Sequence, residues 1–376
     1  MSGEVSNGSG QAFGGSYAGR RVFVTGHTGF KGSWLSSWLL TLGAEVSGYA
    51  LEPDTRPSLF NDLGLAGNVD HAIGDVRDAT NLRNTLRRQQ PELVVHMAAQ
   101  PLVRRSFAEP VFTFSTNVLG TLNVLEASRA IDSVRGIVIV TTDKVYENPE
   151  SGDAFAEDDP LGGVDPYSAS KAAAEIVTAA YRSSFYSGEG TALVATARAG
   201  NVIGGGDWAE DRLVPDCVRA VMADEPVIVR NPTSVRPWQH VLESLSGYLT
   251  LGAALLAGEM SAAAAFNFGP APGDALPVQK VVERFLSAWG SGSWESPERR
   301  DEPYEARFLR LDTSRAAERL GWMPVWDADR AVSATAAWYR AYADDPHSTP
   351  KLIGSGIKAY MADADAAGVR WAGRSG

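Results

Sequence analysis

Cysteine is almost absent from this sequence, since Cys217 is the one cysteine among 376 residues. A single cysteine cannot form an internal disulfide, and it excludes a zinc site built on several thiolates. The five histidines do not have the spacing of metal ligands. We therefore predict a protein with no disulfide framework and no metal site.

Dense basic runs and long apolar runs are missing as well. The formal net charge is −11, and no cluster of lysines and arginines interrupts that acidic balance, which argues against a nucleic-acid partner. No stretch of about 20 apolar residues is present that could span a membrane. We therefore expect neither nucleic acid nor membrane as a partner.

The two ends of the sequence carry weak structural signals. Residues 1–19 are rich in glycine and serine and lack the apolar core of a signal peptide, which predicts a flexible extension on a cytoplasmic protein. Residues 346–376 are predicted to form a loosely held tail, although Tyr360 and Trp371 are aromatic side chains that could dock it.

Between these ends, short β-branched runs alternate with longer helical patterns. The runs RRVFVTG, ELVVHMAA and RGIVIVTT predict strands, and KGSWLSSWLLTLGA predicts the helix that follows the first of them. Strands that alternate with helices are typical of βαβ units. The sequence therefore predicts an α/β fold of the Rossmann type, a doubly wound parallel sheet with six strands before about residue 204.

The rhythm changes after Gly204 to short, proline-rich, irregular pieces. Residues 20–204 are therefore predicted to form a dinucleotide-binding domain, and residues 205–345 a smaller C-terminal substrate lobe. The apolar pattern of residues 238–258 predicts a helix that returns to the first domain. The two lobes are thus expected to be interleaved.

Three glycines follow the first predicted strand directly. Gly26, Gly29 and Gly32 form a G-x-x-G-x-x-G pattern where a strand gives way to a helix. Glycines at such a junction permit a tight turn and let backbone N–H groups approach a pyrophosphate at the helix N-terminus. An ordinary glycine-rich turn is the alternative, but the position at the first strand–helix junction favours a dinucleotide site.

The end of the second predicted strand bears on the choice of dinucleotide. An acidic residue there usually holds the adenosine ribose, and Glu52 and Asp54 are both candidates. Arg56 could accept the 2′-phosphate of NADP instead. NAD is therefore favoured, with NADP as the alternative.

Tyr167 and Lys171 lie four residues apart on a predicted helix and hence on one face. A tyrosine with its ordinary pKa of about 10 is a poor base at neutral pH. A buried ammonium group and a positive nicotinamide ring would lower that pKa. A half-buried tyrosine beside a solvated lysine is the simpler alternative. The glycine motif and the hydroxyl of Thr142, at the end of the fifth strand, favour a catalytic pair.

Taken together, these motifs resemble the extended short-chain dehydrogenase/reductase family. The glycine spacing, the pair Asp75 and Val76 after the third strand, and the pair Ala98 and Ala99 after the fourth all carry the resemblance. The resemblance implies a set of residues that bind NAD. They are Gly26, Thr28, Gly29, Phe30, Lys31, Gly32, Asp75, Val76, Ala98, Ala99, Gln100, Asn117, Thr141, Tyr167 and Lys171.

A narrower resemblance covers about residues 20 to 340. The segments TGHTGFKGSWL, TTDKVYEN, DPYSASKAAAE and RNPTSVRPWQHV are similar to those of CDP-glucose 4,6-dehydratases. Epimerases of this fold remove and return a hydride at sugar C4, whereas 4,6-dehydratases also eliminate water across C5 and C6. Elimination needs a second acid/base pair, which is Asp-Glu in most 4,6-dehydratases and Asp143-Lys144 in this sequence.

The resemblance implies a role for each residue of that cluster. Thr142 would hydrogen-bond a sugar oxygen beside Tyr167, and Asp143 would protonate the leaving C6 hydroxyl. Lys144 would take the C5 proton, or would remain charged and stabilise the enolate. A surface ion pair between Asp143 and Lys144 is the alternative to a catalytic pair.

Substrate contacts are implied by the same resemblance, while solvated charges are the alternative for the arginines. Gln100, Arg104 and Ser106 would edge the sugar pocket. The other implied contacts, near the phosphates and the lobe-closing segment, are Asn201, Arg236 and His240, with Arg219 and Arg307 as weaker candidates.

We therefore predict an NAD-dependent lyase that acts on CDP-glucose or a related nucleotide sugar and recycles its NAD in each turnover. One alternative is a dehydratase or epimerase for another nucleotide sugar. Another is a dinucleotide sensor without catalytic activity, which would be expected to lack Tyr167 or Lys171. Two long helices, at about 110–130 and 166–186, have apolar residues on more than one face, and their family counterparts pair across a dimer. We expect a homodimer or a higher homo-oligomer.

Overall fold

A parallel sheet of seven strands is the frame of the molecule, in the order β11-β6-β5-β4-β1-β2-β3. The computed structural model describes residues 9–296 and 308–373. Short paired strands in the second half of the chain lie outside the main sheet. The strands are β1 Arg21–Thr25, β2 Glu45–Ala50, β3 Asp70–Ile73, β4 Leu93–His96, β5 Gly136–Val140, β6 Leu193–Ala199, β7 Val202–Ile203, β8 Val227–Ile228, β9 Val235–Arg236, β10 Gln239–His240, β11 Ala265–Phe268, β12 Leu276–Pro277 and β13 Trp294–Glu295.

The strand order reverses next to β1. From β1 the chain adds β2 and β3 on one side, then crosses to β4, β5 and β6 on the other. The carboxyl ends of the strands at such a reversal form the crevice in which ligands bind in open α/β sheets. The predicted Rossmann-type fold is confirmed.

Helices cover both faces of this sheet. Val22 and Val24 of β1 belong to one apolar core together with α1, α9 and α13, and Phe23 belongs to a second core with α3 and α6. This alternation follows from the two-residue period of a strand. The helices are α1 Phe30–Thr41, α2 Leu59–Asp62, α3 Ala79–Gln89, α4 Val103–Ala108, α5 Pro110–Phe114, α6 Gly120–Arg129, α7 Pro166–Phe185, α8 Leu213–Met222, α9 Val241–Leu256, α10 Val278–Trp289, α11 Ser314–Leu320, α12 Ala328–Asp344 and α13 Thr349–Ala366.

The seventh strand, β11, was not among the six strands predicted from the sequence. It is a run of four residues, Ala265–Phe268, that lies inside the irregular second half and pairs in parallel with β6. Phe266 and Phe268 are fully buried. Its backbone partner, β6, is distant in sequence, which is why local periodicity did not reveal it.

The N-terminal segment is packed where it is described, contrary to the expected flexible extension. The ring of Phe13 stacks on that of Trp371 with 4.8 Å between centroids. The Tyr17 hydroxyl donates a hydrogen bond to the carbonyl of Leu249 in α9. Residues 1–8 of the predicted extension lie outside the described residues.

The C-terminal segment is likewise ordered rather than loosely held. It forms α13, which packs on α1, and the Tyr360 hydroxyl donates to Glu243 Oε2 at 2.8 Å. Tyr360 and Trp371 are both buried. They therefore dock the segment, which was the possibility that the sequence analysis had left open. Within residues 9–296 and 308–373, no helix has the combined length and hydrophobicity that crossing a membrane requires.

Candidate active site

A cavity of about 380 Å³ lies at the carboxyl ends of the central strands. Its walls come from the start of α1, from the loops after β4, β5 and β6, from the start of α7, and from the second half of the chain. Residues from every one of these segments therefore face a common space at the reversal of strand order.

The glycine loop leads from β1 into α1. A Cβ on Gly32 would lie 2.1 Å from the Gly26 carbonyl oxygen, and one on Gly26 would lie 2.7 Å from Ala98 N. Gly26 also has a φ of +76°, which side chains rarely tolerate. Gly29 caps α1 without a side-chain hydrogen bond, so the first N–H groups of the helix remain available to an anion.

Two contacts tie this loop to the neighbouring strands. Thr28 Oγ1 donates to the carbonyl of Leu51, just beyond β2, at 2.9 Å. After β3, the carboxylate of Asp75 is bound by Arg77, and this hydrogen bond holds the pKa of Asp75 below its usual range. Val76 is buried beside Gly120. Glu52 and Asp54 are exposed beyond β2.

Asn117 fixes the loop after β4. Its amide accepts from Gln100 N at 2.9 Å and donates to the Gln100 carbonyl at 3.1 Å, and it also donates to Ser170 Oγ on α7 at 2.8 Å. Asn117 therefore acts on the cavity through the backbone that follows Ala98 and Ala99, and it links that backbone to α7.

Tyr167 and Lys171 lie on the first turns of α7 and face the cavity. Asp165 caps this helix by accepting from Ser168 N at 2.9 Å, and Pro166 occupies its first position. Lys171 Nζ donates to the carbonyl of Val140, at the end of β5, at 3.0 Å. The sequence spacing thus places the pair against the strand end.

Burial shifts the pKa values of both residues. It raises the pKa of Tyr167 to about 12, while the neighbouring Thr142 hydroxyl and the charge of Arg212 act to lower it. Burial lowers the pKa of Lys171 to about 8, and the charge of Glu175 opposes that change. Lys171 can therefore change its protonation state close to neutral pH.

The cluster after β5 consists of Thr142, Asp143 and Lys144. Thr142 caps the short 3-10 turn Asp143–Val145, and its Oγ1 donates to Asp143 Oδ1 at 3.0 Å. Asp143 is 1% exposed, and its Oδ2 has no hydrogen-bond partner in the described part of the chain. Burial raises the pKa of Asp143, while the charge of Lys144 acts against it. Lys144 is half-buried and also lines the cavity.

Lys31 brings a further cation to the cavity from the glycine loop. Its Nζ donates to the Tyr248 hydroxyl at 3.1 Å. Burial lowers its pKa to about 7, and the charges of Arg212 and Lys171 act in the same direction. The sequence placed Lys31 among the cofactor contacts, and the structure places its side chain in the same cavity as Asp143.

The second half of the chain supplies the opposite wall. Asn201 and Arg236 line the cavity from this wall, and Arg104 lines it from α4 in the first half of the chain, as the sequence predicts. Arg212 and Arg230 line it too, and sequence reasoning did not single them out. A signal for Arg212 was present in the sequence as Asp207, five residues earlier, to which it is paired at 3.0 Å.

His240 is not at the cavity surface, although the sequence suggested a role near the substrate. Its Nδ1 accepts from Leu242 N and caps α9, and its ring packs against Trp34 and Trp326. Burial lowers its pKa to about 3. His240 is therefore a neutral helix cap in the core.

Three other predicted substrate contacts also point elsewhere. Gln100 donates from its side chain to the carbonyl of Leu102, and Ser106 donates to the carbonyl of Val103. Both side chains are thus hydrogen-bonded to the backbone of their own segment. Arg219 is exposed and does not line the cavity itself, and it donates to Asp216, which does. Arg307 lies outside the described residues.

Comparisons with known proteins show the family to which this chain is similar. The model of the family described as GDP-mannose 4,6 dehydratase matches residues 23–335. A CDP-glucose 4,6-dehydratase of Salmonella typhimurium is 46% identical over 331 residues, which are 87% of this chain and 92% of that protein. A dTDP-glucose 4,6-dehydratase of Streptomyces griseus is 30% identical, over 85% of this chain and 94% of the relative.

Two solved structures have similar folds. The dTDP-glucose 4,6-dehydratase of Streptomyces venezuelae, solved with NAD bound, superimposes with a TM-score of 0.73 at 26% identity, over 87% of this chain and 99% of that one. The UDP-glucose 4-epimerase of Thermus thermophilus in complex with NAD also has a TM-score of 0.73, at 27% identity, over 85% and 99% of the two chains.

Proposed function

This chain belongs to the GDP-mannose 4,6 dehydratase family, and from that premise we propose that it is an NAD-dependent CDP-glucose 4,6-dehydratase. The reaction removes a hydride from C4, eliminates water across C5 and C6, and returns the hydride to C6 and a proton to C5, which gives CDP-4-dehydro-6-deoxy-D-glucose and water. The observation that carries the proposal is the buried carboxyl of Asp143, which has an open oxygen and lies beside Lys144 in a cavity shared with Tyr167. Similarity to the Salmonella relative supports the cytidine nucleotide.

The glycine loop fits NAD. Side chains at Gly26 or Gly32 would collide with backbone atoms, so the loop is compressed enough to let a pyrophosphate reach the N-terminus of α1. Asp75 and Val76 lie beside the same crevice after β3. When bound, NAD would supply the two-electron oxidation at C4 and the matching reduction at C6.

Tyr167 takes the proton of the C4 hydroxyl in this proposal. Its burial opposes ionisation, because it raises the pKa to about 12, so deprotonation depends on positive charge and hydrogen bonding around the phenol. Thr142 and Arg212 act in that direction. Thr142 is also placed to hold the sugar oxygen from which the proton is taken.

Elimination is assigned to the cluster after β5. A buried carboxyl with a raised pKa retains a proton that it can give to the departing C6 hydroxyl. Lys144, the next residue, takes the C5 proton, which the neighbouring C4 ketone has made acidic. The two residues act on adjacent carbons because they follow one another at the cavity wall.

Arginines of the opposite wall are proposed to bind the diphosphate. Arg236 is buried at the cavity, which Arg104 and Asn201 also line. A guanidinium can donate two parallel hydrogen bonds to phosphate oxygens, which suits the binding of a diphosphate. Arg212 and Arg230 add positive charge to the same wall.

We further propose a homodimer with a cytoplasmic location, where a nucleotide sugar and NAD are available. The dimer would form through α6 and α7, which pack side by side on one face of the sheet. Large apolar side chains lie exposed on α5, on α7 and at Leu119 just before α6, among them Val111 at 80% and Ile176 at 58%. Exposed apolar groups concentrated on one face mark an interaction surface. Sedimentation equilibrium of the purified protein tests this state, and a monomer at micromolar concentration contradicts it.

A nucleotide-sugar panel tests the proposed activity. Purified protein is incubated with CDP-, dTDP-, GDP- and UDP-glucose, and the 4-keto product is followed by its absorbance in base. We expect CDP-glucose to give the highest kcat/KM. Turnover of only another nucleotide sugar would change the assigned nucleobase. A 4-epimer without a ketone would indicate an epimerase. No turnover with retained NAD binding would indicate a sensor.

A further inference from the structure

Glu175 lies one helical turn beyond Lys171 on α7 and points into the protein. Each of its two carboxylate oxygens accepts two hydrogen bonds. Oε1 accepts from Thr141 Oγ1 and from Arg198 Nε at 3.0 Å, and Oε2 accepts from Thr196 Oγ1 at 2.8 Å and from Arg198 Nη2 at 2.9 Å. The acid is buried and fully bound, although the proposed chemistry does not use it.

The contact with Thr141 reaches the residues proposed to act on the sugar. Thr141 connects β5 to Thr142, and its backbone N–H donates to the carbonyl of Ala197 in β6. On the preceding residue, the carbonyl of Val140 accepts from Lys171. Two side chains of α7 therefore hold Val140 and Thr141, the two residues directly before Thr142 and Asp143.

Arg198 extends the same network past the catalytic turn. Its Nη1 donates to the Tyr146 hydroxyl at 2.8 Å and to the carbonyl of Glu157 at 2.9 Å. The Tyr146 hydroxyl in turn donates to Asn267 Oδ1 in β11 at 2.6 Å. The turn Asp143–Val145 is thus fixed at Thr141 before it and at Tyr146 after it.

The charge of Glu175 also acts on Lys171. Burial raises the pKa of Glu175, but the charge and hydrogen bonds of Arg198 outweigh burial, and the net shift is downward, so the group is ionised. Its anion opposes the effect of burial on Lys171. Among the described residues, Lys31 at the start of α1 and His96 on β4 also interact with the charge of Lys171, and neither supplies an anion.

We propose that Glu175, held by Arg198, is a positioning residue of the dehydration site, which orients the Thr142–Asp143 turn through Thr141 and keeps Lys171 in its ammonium form. The inference rests on the catalytic roles proposed for Thr142, Asp143 and Lys171. Glu175 acts through these residues and does not touch the substrate.

A matched pair of variants tests the orienting role. Thr141→Val and Thr196→Val each remove one hydroxyl that donates to Glu175, and both leave the buried ion pair intact. Because only Thr141 adjoins the turn, Thr141→Val should lower kcat about tenfold or more with little change in KM, the effect of losing one hydrogen bond to a charged group. Thr196→Val should lower Tm by as much as Thr141→Val does, but its kcat should stay within about twofold of the wild-type value. Equal kcat values for the two variants would overturn the proposal.

An activity-independent measurement tests the electrostatic role. The lysines Lys31, Lys144, Lys171, Lys280, Lys351 and Lys358 can be labelled at Cε with 13C, and Lys171 can be assigned by its loss in Lys171→Met. In Glu175→Gln the midpoint of the Lys171 titration should fall by about one pH unit, and an unchanged midpoint would refute the role. The titration needs no substrate, so failure to turn over CDP-glucose does not affect it. If Glu175→Gln does not fold, the threonine pair decides.

Discussion

Thr142 Oγ1 donates its hydrogen to Asp143 Oδ1 at 3.0 Å, and the other oxygen of that carboxyl accepts no hydrogen bond among the described residues. A buried carboxylate normally has its oxygens bound. Here one oxygen is oriented by its neighbour and the other stays available at a cavity wall next to Gly200. This arrangement prepares Asp143 to give a proton to a bound hydroxyl rather than to form a structural ion pair.

Asp143→Asn is therefore expected to abolish elimination while NAD binding is preserved. The amide has the size of the carboxyl but cannot supply the proton for the C6 hydroxyl. Formation of the 4-keto-6-deoxy product should fall at least about 100-fold, and NAD affinity measured by calorimetry should stay within about twofold. Asp158→Asn, at an exposed position away from the cavity, serves as the control. An Asp143→Asn enzyme with near-normal kcat would remove Asp143 from the acid role.

Glu243 should make stability depend on pH. Its carboxylate accepts from the backbone N–H groups of Val325 and Trp326 and from the Tyr360 hydroxyl, yet burial dominates and raises its pKa from 4.5 to about 7. The folded chain keeps a proton that the unfolded chain loses between these two pH values. The contribution of Glu243 to the free energy of unfolding is therefore complete below pH 4.5 and is lost as pH rises to about 7.

Urea denaturation from pH 5 to 8 checks this expectation. The free energy of unfolding of the wild-type protein should decline by about 2–3 kcal/mol relative to that of Glu243→Gln across the range. The difference between the two proteins cancels the contribution of buried histidines such as His96, which have the opposite slope. Parallel curves would show that Glu243 has an ordinary pKa.

Trp371 joins the two ends of the chain to the body of the protein. Its ring stacks on Phe13 and packs against Trp38 and Tyr360. Trp371→Ala should therefore lower the free energy of unfolding by about 3 kcal/mol, with kcat unchanged because the cluster lies away from the cavity. Met323→Ala, at a position that is 53% exposed, should cost little. A loss below about 0.5 kcal/mol for Trp371→Ala would show that the ends contribute no stability.

The parts of the site that the sequence predicted are those with local geometry. Tyr167 and Lys171 are four positions apart, so any helix at that place brings them to one face. The glycines follow β1 without an intervening segment, and Thr142 follows β5 in the same way. For such residues the order of strands and helices is sufficient to place them at the carboxyl edge of the sheet.

The parts that the sequence missed depend on distant segments that meet only in the folded chain. Lys31 lies beside Asp143 because Tyr248 of α9, far along the chain, binds its amino group. His240 was misplaced for the same reason, since Trp34 and Trp326 bury it from both sides. Local periodicity does not predict these contacts between distant segments.

Lys144 can act in the elimination as the base that takes the C5 proton or as a fixed positive charge that stabilises the enolate. Two variants and deuterium labelling distinguish these roles. Lys144→Met should abolish product formation and leave NAD binding intact, because it removes both the amine and the charge. Lys144→Arg keeps the charge but cannot accept a proton at neutral pH, so it should be as inactive as Lys144→Met if Lys144 is the base. Turnover of the wild-type enzyme in D2O should then place deuterium at C5. An active Lys144→Arg variant would show instead that the cation stabilises the enolate and that another group carries the proton.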